Sequence, residues 1–190
     1  MDTVQAPNQA IVDEFVGNAH GNLDRVRELL SEHPGVLNAS ASWRETAIEA
    51  AAQVGREDIA RCLLDAGAPL DICTAAMLGQ RDTVRALLAA DPAHVRATGA
   101  HGIAVLYFPT IKGDAETAAL LLAHGADVNG GTPGAPTPLH GAALFNQPEM
   151  ASWLLERGAE PGTTDAEGKT ALAIARERGF TQVADVLERM

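Results

Sequence analysis

Lysine is all but missing from this chain. Lys112 and Lys169 are its only two, and arginine serves elsewhere. Together with the abundance of alanine, this points to a bacterial chain of high GC content, a nucleotide bias rather than a functional demand. Cations of both kinds are outnumbered: 14 Lys and Arg against 25 Asp and Glu leave a formal net charge of −11. Without a basic patch to release counterions, nucleic acid is excluded as a partner, and an anionic membrane surface is disfavoured on the same ground. Surplus acid favours basic partners, although it also serves simple solubility. No apolar run reaches the length of about 18 residues that a membrane-spanning helix needs. Residues 1 to 10 are polar and carry no apolar signal region, so the expected address is the cytoplasm. Aromatics make up only 4% of the chain, while apolar residues as a whole make up 46%. That balance suits a stack in which Ala allows helices to approach and Leu fills the layers between them.

What is present in quantity is repetition. Thr137-Pro138-Leu139-His140-Gly141-Ala142-Ala143 reads as the opening of a short helix, with Thr137 as its cap and Pro138 at the first helical position. Leu139, Ala142 and Ala143 share one face. A second apolar helix follows over Glu149 to Glu156 and closes at Gly158-Ala159. A helix pair this small cannot bury its own apolar face, so copies of it are expected. The residue two places before each second helix marks the phase: Gly21, Gly55, Gly79, Gly113, Asn146 and Gly179, at spacings of 34, 24, 34, 33 and 33. Eight and nine residues after the first five marks stand Leu29-Leu30, Leu63-Leu64, Leu87-Leu88, Leu121-Leu122 and Leu154-Leu155. Twelve residues after three of them stand Gly67-Ala68, Gly125-Ala126 and Gly158-Ala159.

This pattern resembles the ankyrin repeat. The matching motifs are Thr137-Pro138-Leu139-His140, Gly125-Ala126-Asp127-Val128-Asn129, and the pairs Ala51-Ala52, Ala75-Ala76 and Ala142-Ala143. The resemblance implies an all-α fold, a solenoid of about six helix–turn–helix modules with short β-hairpin fingers. Residues 1–8 are expected to be a flexible N-terminus and residues 9–190 a single repeat domain, with modules near 9–39, 40–70, 71–98, 99–130, 131–163 and 164–190. The spacing of 24 between Gly55 and Gly79 is about ten residues short of the repeat length, and the missing part corresponds to the finger between modules two and three. Asn8 or Pro7 starts the first helix, Thr46 with Glu49 forms a capping box, and the third module opens directly into Ile72 to Leu78. Its exit, Asp91 to Arg96, matches the exit of module one at His33 to Asn38. Module four departs furthest, with Ala104-Val105-Leu106-Tyr107 where Thr-Pro-Leu-His is expected and Pro109 shortly after. That proline predicts a kinked or shortened helix and an extended Phe108. Asp114 caps the next helix, and Pro148 falls harmlessly in a first turn. Module six ends on Arg176, Glu177, Arg178, Glu188 and Arg189, a polar outer face suited to a terminal cap.

Motifs for chemistry are missing: no Gly-x-Ser-x-Gly elbow, no phosphate loop at Gly130 to Gly134, no His-x-x-x-His and no Cys-x-x-Cys. No catalytic residue, metal ligand or cofactor is assigned. Cys62 takes a Leu position and Cys73 the place of the motif histidine, and both read as small buried apolar residues. The resemblance gives His140 a structural role, tying a hairpin turn to its neighbour. His124, before a turn glycine, suits the helix C-terminus.

In stacks of this family the fingers and the ends of the first helices line a groove. The residues placed there are Trp43, Val54, Met77, Leu78, Ile103, Ile111, Leu144 and Phe145, joined by Tyr107 and Phe108 if Pro109 turns them outward. So large an apolar patch marks a binding surface, suited to a partner's helix or peptide. Glu45, Glu49, Asp165 and Glu167 form its expected acidic rim. The implied function is a protein–protein interaction module, an adaptor or regulatory subunit that is not an enzyme. Two alternatives stand beside it: a self-associating scaffold closing a homodimer, with residues 1 to 10 as one candidate for the groove, and an enzyme or metal-binding protein with an unrecognised site across modules.

Overall fold

A computed structural model describes residues 7–189. The flexible terminus expected at residues 1–8 therefore lies mostly outside the described residues; Asn8 caps the first helix, accepting the Ala10 N–H at 2.9 Å. Among the described residues there are twelve α-helices: α1 (Gln9–Asn18), α2 (Leu23–Glu32), α3 (Ala47–Gln53), α4 (Glu57–Asp65), α5 (Ile72–Leu78), α6 (Arg81–Ala90), α7 (Tyr107–Thr110), α8 (Ala115–Ala123), α9 (Pro138–Leu144), α10 (Pro148–Leu155), α11 (Ala171–Glu177) and α12 (Thr181–Glu188). Helices this short are unstable alone. Some are bounded by side-chain caps and most by sharp turns, and each is held by its neighbours.

Five of the six phase marks prove to be left-handed turns; Gly21 does not adopt positive φ. Gly55, Gly79, Gly113, Asn146 and Gly179 all adopt positive φ, which reverses the chain between the helices of a pair. At each, the following N–H returns to a carbonyl of the first helix: Arg56 to Ala51, Gln80 to Ala75, Asp114 to Pro109, Gln147 to Ala142 and Phe180 to Ala175, all at 2.8–2.9 Å. This is the Schellman closure, which satisfies carbonyls that the helix end leaves open. The Gly-Ala pairs repeat it, with Ala68, Ala126 and Ala159 donating to Leu63, Leu121 and Leu154. At the other end Thr46 and Glu49 form the expected capping box, and Asp71 and Thr170 cap α5 and α11.

After Leu70 the chain divides into two compact bodies. In the first, α1 with α2 and α3 with α4 enclose Phe15, Val16, Val26, Leu29, Ile59 and Leu63. In the second, α5, α7, α9 and α11 pack in sequence, backed by α6, α8, α10 and α12. The small residues Ala75, Ala76, Ala142, Ala143 and Ala175 are buried along this row, where bulk would push the helices apart. Modules one and three both leave through a 3-10 turn that begins at a proline, Pro34–Val36 and Pro92–Arg96.

Fingers precede modules two, four and six. The same backbone bond recurs in each, Ala41 N–H to Glu45, Gly99 N–H to Ile103 and Asp165 N–H to Lys169, at 2.8–3.0 Å. The finger between modules two and three is missing, as the spacing predicts: α4 ends at Asp65 and α5 starts at Ile72. The finger of module five leans instead on that of module four, with the Thr132 N–H donating to the Gly102 carbonyl at 3.0 Å.

Three expectations need correction. Phe108 is helical, not extended. α7 is shortened as expected, but Pro109 lies in its first turn, where no intrahelical donor is required. Cys62 is only half-buried, whereas Cys73 is buried, and both remain thiols. The cap of α5 is Asp71, so the third position of that helix, which His140 holds in α9, falls on Thr74 rather than Cys73.

Candidate functional site

The finger of the first body is fixed at its base. Its Ser42 N–H donates to Asp13 Oδ1 at 2.7 Å, and Gln9 Nε2 donates both to Asp13 Oδ1 at 2.8 Å and to the Ser40 carbonyl at 3.1 Å. Gln9 and Ser42 together hold the Asp13 carboxyl below the usual carboxylate range. At the tip Arg44 takes a left-handed conformation, φ 68°, and this turn presents Trp43. Its side chain is 42% exposed, and it is the one exposed large hydrophobic residue among those described. The indole Nε1–H points inward and donates to Glu45 Oε2 at 2.7 Å. Glu45 is only 1% exposed; its other oxygen accepts from Gln53 Nε2 at 2.6 Å. The same amide lies 2.9 Å from His20 Nε2, which is 3.6 Å from Glu45 Oε1. A buried carboxylate is tolerated only when donors surround it, and here one of the donors is the indole. Glu45 is thus not the rim residue expected from the sequence. Glu49 is engaged as well, accepting the Thr46 N–H at 2.9 Å. Val54, beside Gln53, is half-buried.

In the second body the expected groove is mostly core. Met77, Leu78, Ile103, Tyr107, Phe108 and Ile111 are all buried, which removes them from any free surface and corrects their assignment to a contact face. The aromatic pair goes inward because two glycines make room for it. A Cβ at Gly99 would lie 2.6 Å from the Phe108 ring, and one at Gly141 would lie 2.9 Å from the Tyr107 ring and 2.3 Å from Thr110 Oγ1. Tyr107 meets Phe108 and Phe145 edge to face, with centroids 5.7 and 6.4 Å apart. Burial pushes the Tyr107 phenol pKa well up.

Leu144 and Phe145 stay half-buried. Leu144 and Ile174 line a cleft of about 240 Å³ with Asp165, Glu167, Lys169, Glu177 and Arg178. The rim acids there are occupied. Lys169 Nζ pairs with Glu177 at 2.7 Å and Glu167 at 3.1 Å, and those carboxylates raise its pKa. Asp165 Oδ1 accepts the N–H groups of Glu167 and Lys169, both at 2.9 Å. The surface that this geometry leaves for contact is Trp43 with Val54 in one body, and Leu144 with Phe145 in the other.

His140 does what the motif implies. Its Nδ1 accepts the Thr137 N–H at 3.1 Å, so the ring proton sits on Nε2 and is donated to the Lys169 carbonyl at 3.0 Å. Burial lowers its pKa, keeping the ring neutral and both bonds in place. His124 Nδ1 lies 2.9 Å from the Leu120 carbonyl at the end of α8. Among the described residues no group of three or more His, Cys, Asp and Glu is placed to hold a metal ion. No described helix is long and apolar enough to cross a membrane.

Comparison with known proteins agrees with this geometry. A family model of ankyrin repeats in three copies matches residues 72–165, and a model of the single ankyrin repeat matches residues 43–75. The chain belongs to the ankyrin-repeat family. It is 30% identical to the putative ankyrin repeat protein YahD of Escherichia coli, over 92% of this chain and 94% of that one. It is 36% identical to the cyclin-dependent kinase 4 inhibitor B of Rattus norvegicus, over 66% of this chain and 95% of that protein. A shorter match, 44% identical over 79 residues, is to the E3 ubiquitin-protein ligase hecd-1 of Caenorhabditis elegans; it takes in 40% of this chain and only 3% of the ligase.

Proposed function

We propose that this chain is a protein-binding module, an adaptor or regulatory subunit without chemistry of its own, that takes a partner's peptide or helix against the Trp43 finger. The observation that carries this reading is the exposed indole itself. A tryptophan of this exposure is costly on a free surface, and this one is locked in orientation by a buried carboxylate. Rigid aromatic anchors of this kind supply much of the energy of protein interfaces. Val54, half-buried in the same body, and Leu144 with Phe145 on the second body add apolar area. The groove of the sequence reading narrows accordingly, because six of its residues are core. The rat relative supports the reading only in kind: it is named for inhibiting another protein. A bacterial and cytoplasmic setting fits the composition and the match to YahD.

The test is affinity capture from native lysate with three baits: the wild-type chain, Trp43→Ala and Phe145→Glu, each first checked for folding by circular dichroism. A protein held by the wild type and lost by Trp43→Ala supports the finger as anchor. Equal capture by all three contradicts it.

A further inference from the structure

The Trp43 finger also restricts what it can bind. The indole has a single polar atom, and Glu45 occupies it at 2.7 Å. The exposed part of the ring is therefore carbon, which attracts apolar groups or, over its face, cations, and offers no hydrogen bond. The ring's electron density is set from behind. Glu45 accepts a donor at each oxygen, from Trp43 and from Gln53, the pattern of an ionised carboxylate. At 1% exposure its charge is little screened by water. An indole N–H bonded to such a group has a more negative face than a free one. A second carboxylate, Asp13, is fastened under the same finger by the Ser42 N–H. The chain as a whole carries a formal charge of −11. The basic groups nearby are Arg44, exposed at the tip, and His20, whose Nε2 lies 3.6 Å from Glu45 Oε1.

We infer that Trp43 is a receptor for a cationic side chain, arginine or lysine, presented by the partner. This rests on the proposed protein-binding role and specifies the chemistry of the same finger. The cation would stack on the indole face, in the field of Glu45 and Asp13.

The test uses the full chain carrying Trp153→Phe, so that Trp43 is the sole fluorophore and the Arg157–Trp153 stack, 3.9 Å, does not report. Its indole emission is titrated with a blocked Gly-Gly-Arg-Gly-Gly peptide and with the same peptide carrying citrulline, the neutral isostere of arginine. The expected result is a preference of about two- to fivefold for arginine, the size of an exposed cation–π contact, falling as salt rises. Glu45→Gln is expected to reduce that preference, and Arg44→Gln, an exposed change that leaves the buried network intact, to increase it. Equal response to both peptides, or no response to either, overturns the cation receptor. Equal response leaves Trp43 standing as a plain apolar anchor, so failure here is distinguishable from failure of the capture experiment, where losing the indole changes nothing.

Discussion

Modules four and five pack against each other in the second body through α7 and α9, and they secure their first helices by different means. Module five follows the family motif. Its helix is seven residues long, Thr137 and His140 bond reciprocally at its start, and His140 reaches on to Lys169. Module four has a four-residue helix without a side-chain cap bond. Measured back from the phase mark, Tyr107 stands where module five has His140, and it fills that place with a buried ring. One module is defined by hydrogen bonds, the other by volume. The bonded module should therefore answer to pH, and the packed one to changes of volume, whether in its own rings or in α9 against them.

The largest expected effect is in module four. Phe108→Ala removes a ring buried under Gly99 and beside Tyr107 and should cost about 3–5 kcal/mol, read from the urea midpoint at unchanged m-value. A loss under about 1 kcal/mol would mean that the ring is not core. Next comes Gly141→Ala. The added methyl has no room between Thr110 Oγ1 and the Tyr107 ring, so a loss of about 1–3 kcal/mol is expected despite the better helix propensity of alanine. A stabilised variant would show that α7 and α9 sit less closely than described.

Module five is tested by acid. The folded-state pKa of His140 is lowered by burial, so below the ordinary histidine value the unfolded chain binds the proton that the folded chain refuses. Stability is therefore full above about pH 6.5, and it falls as pH drops through the window beneath that value, levelling off under the folded pKa. His140→Gln should flatten this part of the profile; a wild-type curve with the same slope as the variant would remove His140 from the account. The smallest effect concerns Asn146, the non-glycine phase mark at φ 53°. Asn146→Ala should lose about 1 kcal/mol, while Asn146→Gly should leave stability unchanged or slightly higher. Equal values for the two would mean that the left-handed turn is not under strain.

The same contrast explains what could be read in advance. The turns were legible because left-handed backbone selects Gly or Asn at a fixed phase, and the absent finger was legible as a shortened spacing. Helix starts were legible where Thr, Asp and Asn stand at caps. Module four was not, because the signal for inward aromatics lies in Gly99 and Gly141, whose missing Cβ atoms matter only once distant segments meet. Without them, Met77, Tyr107, Phe108 and Ile111 look like surface anchors on their spacing. Glu45 misled for the opposite reason. A charged finger residue reads as solvated, and nothing local shows that Trp43 and Gln53 close over it. Trp43 itself is legible from its finger position, but its restraint by Glu45 is not.

The measurement that tests the central claim most directly is the affinity of the captured partner for the wild-type chain and for Trp43→Ala, by titration calorimetry at one salt concentration. With the indole as anchor, the variant should bind about thirtyfold more weakly or worse, as loss of an interface hot spot does. Equal affinity for the two chains would contradict the claim and place the partner's contact elsewhere on the molecule.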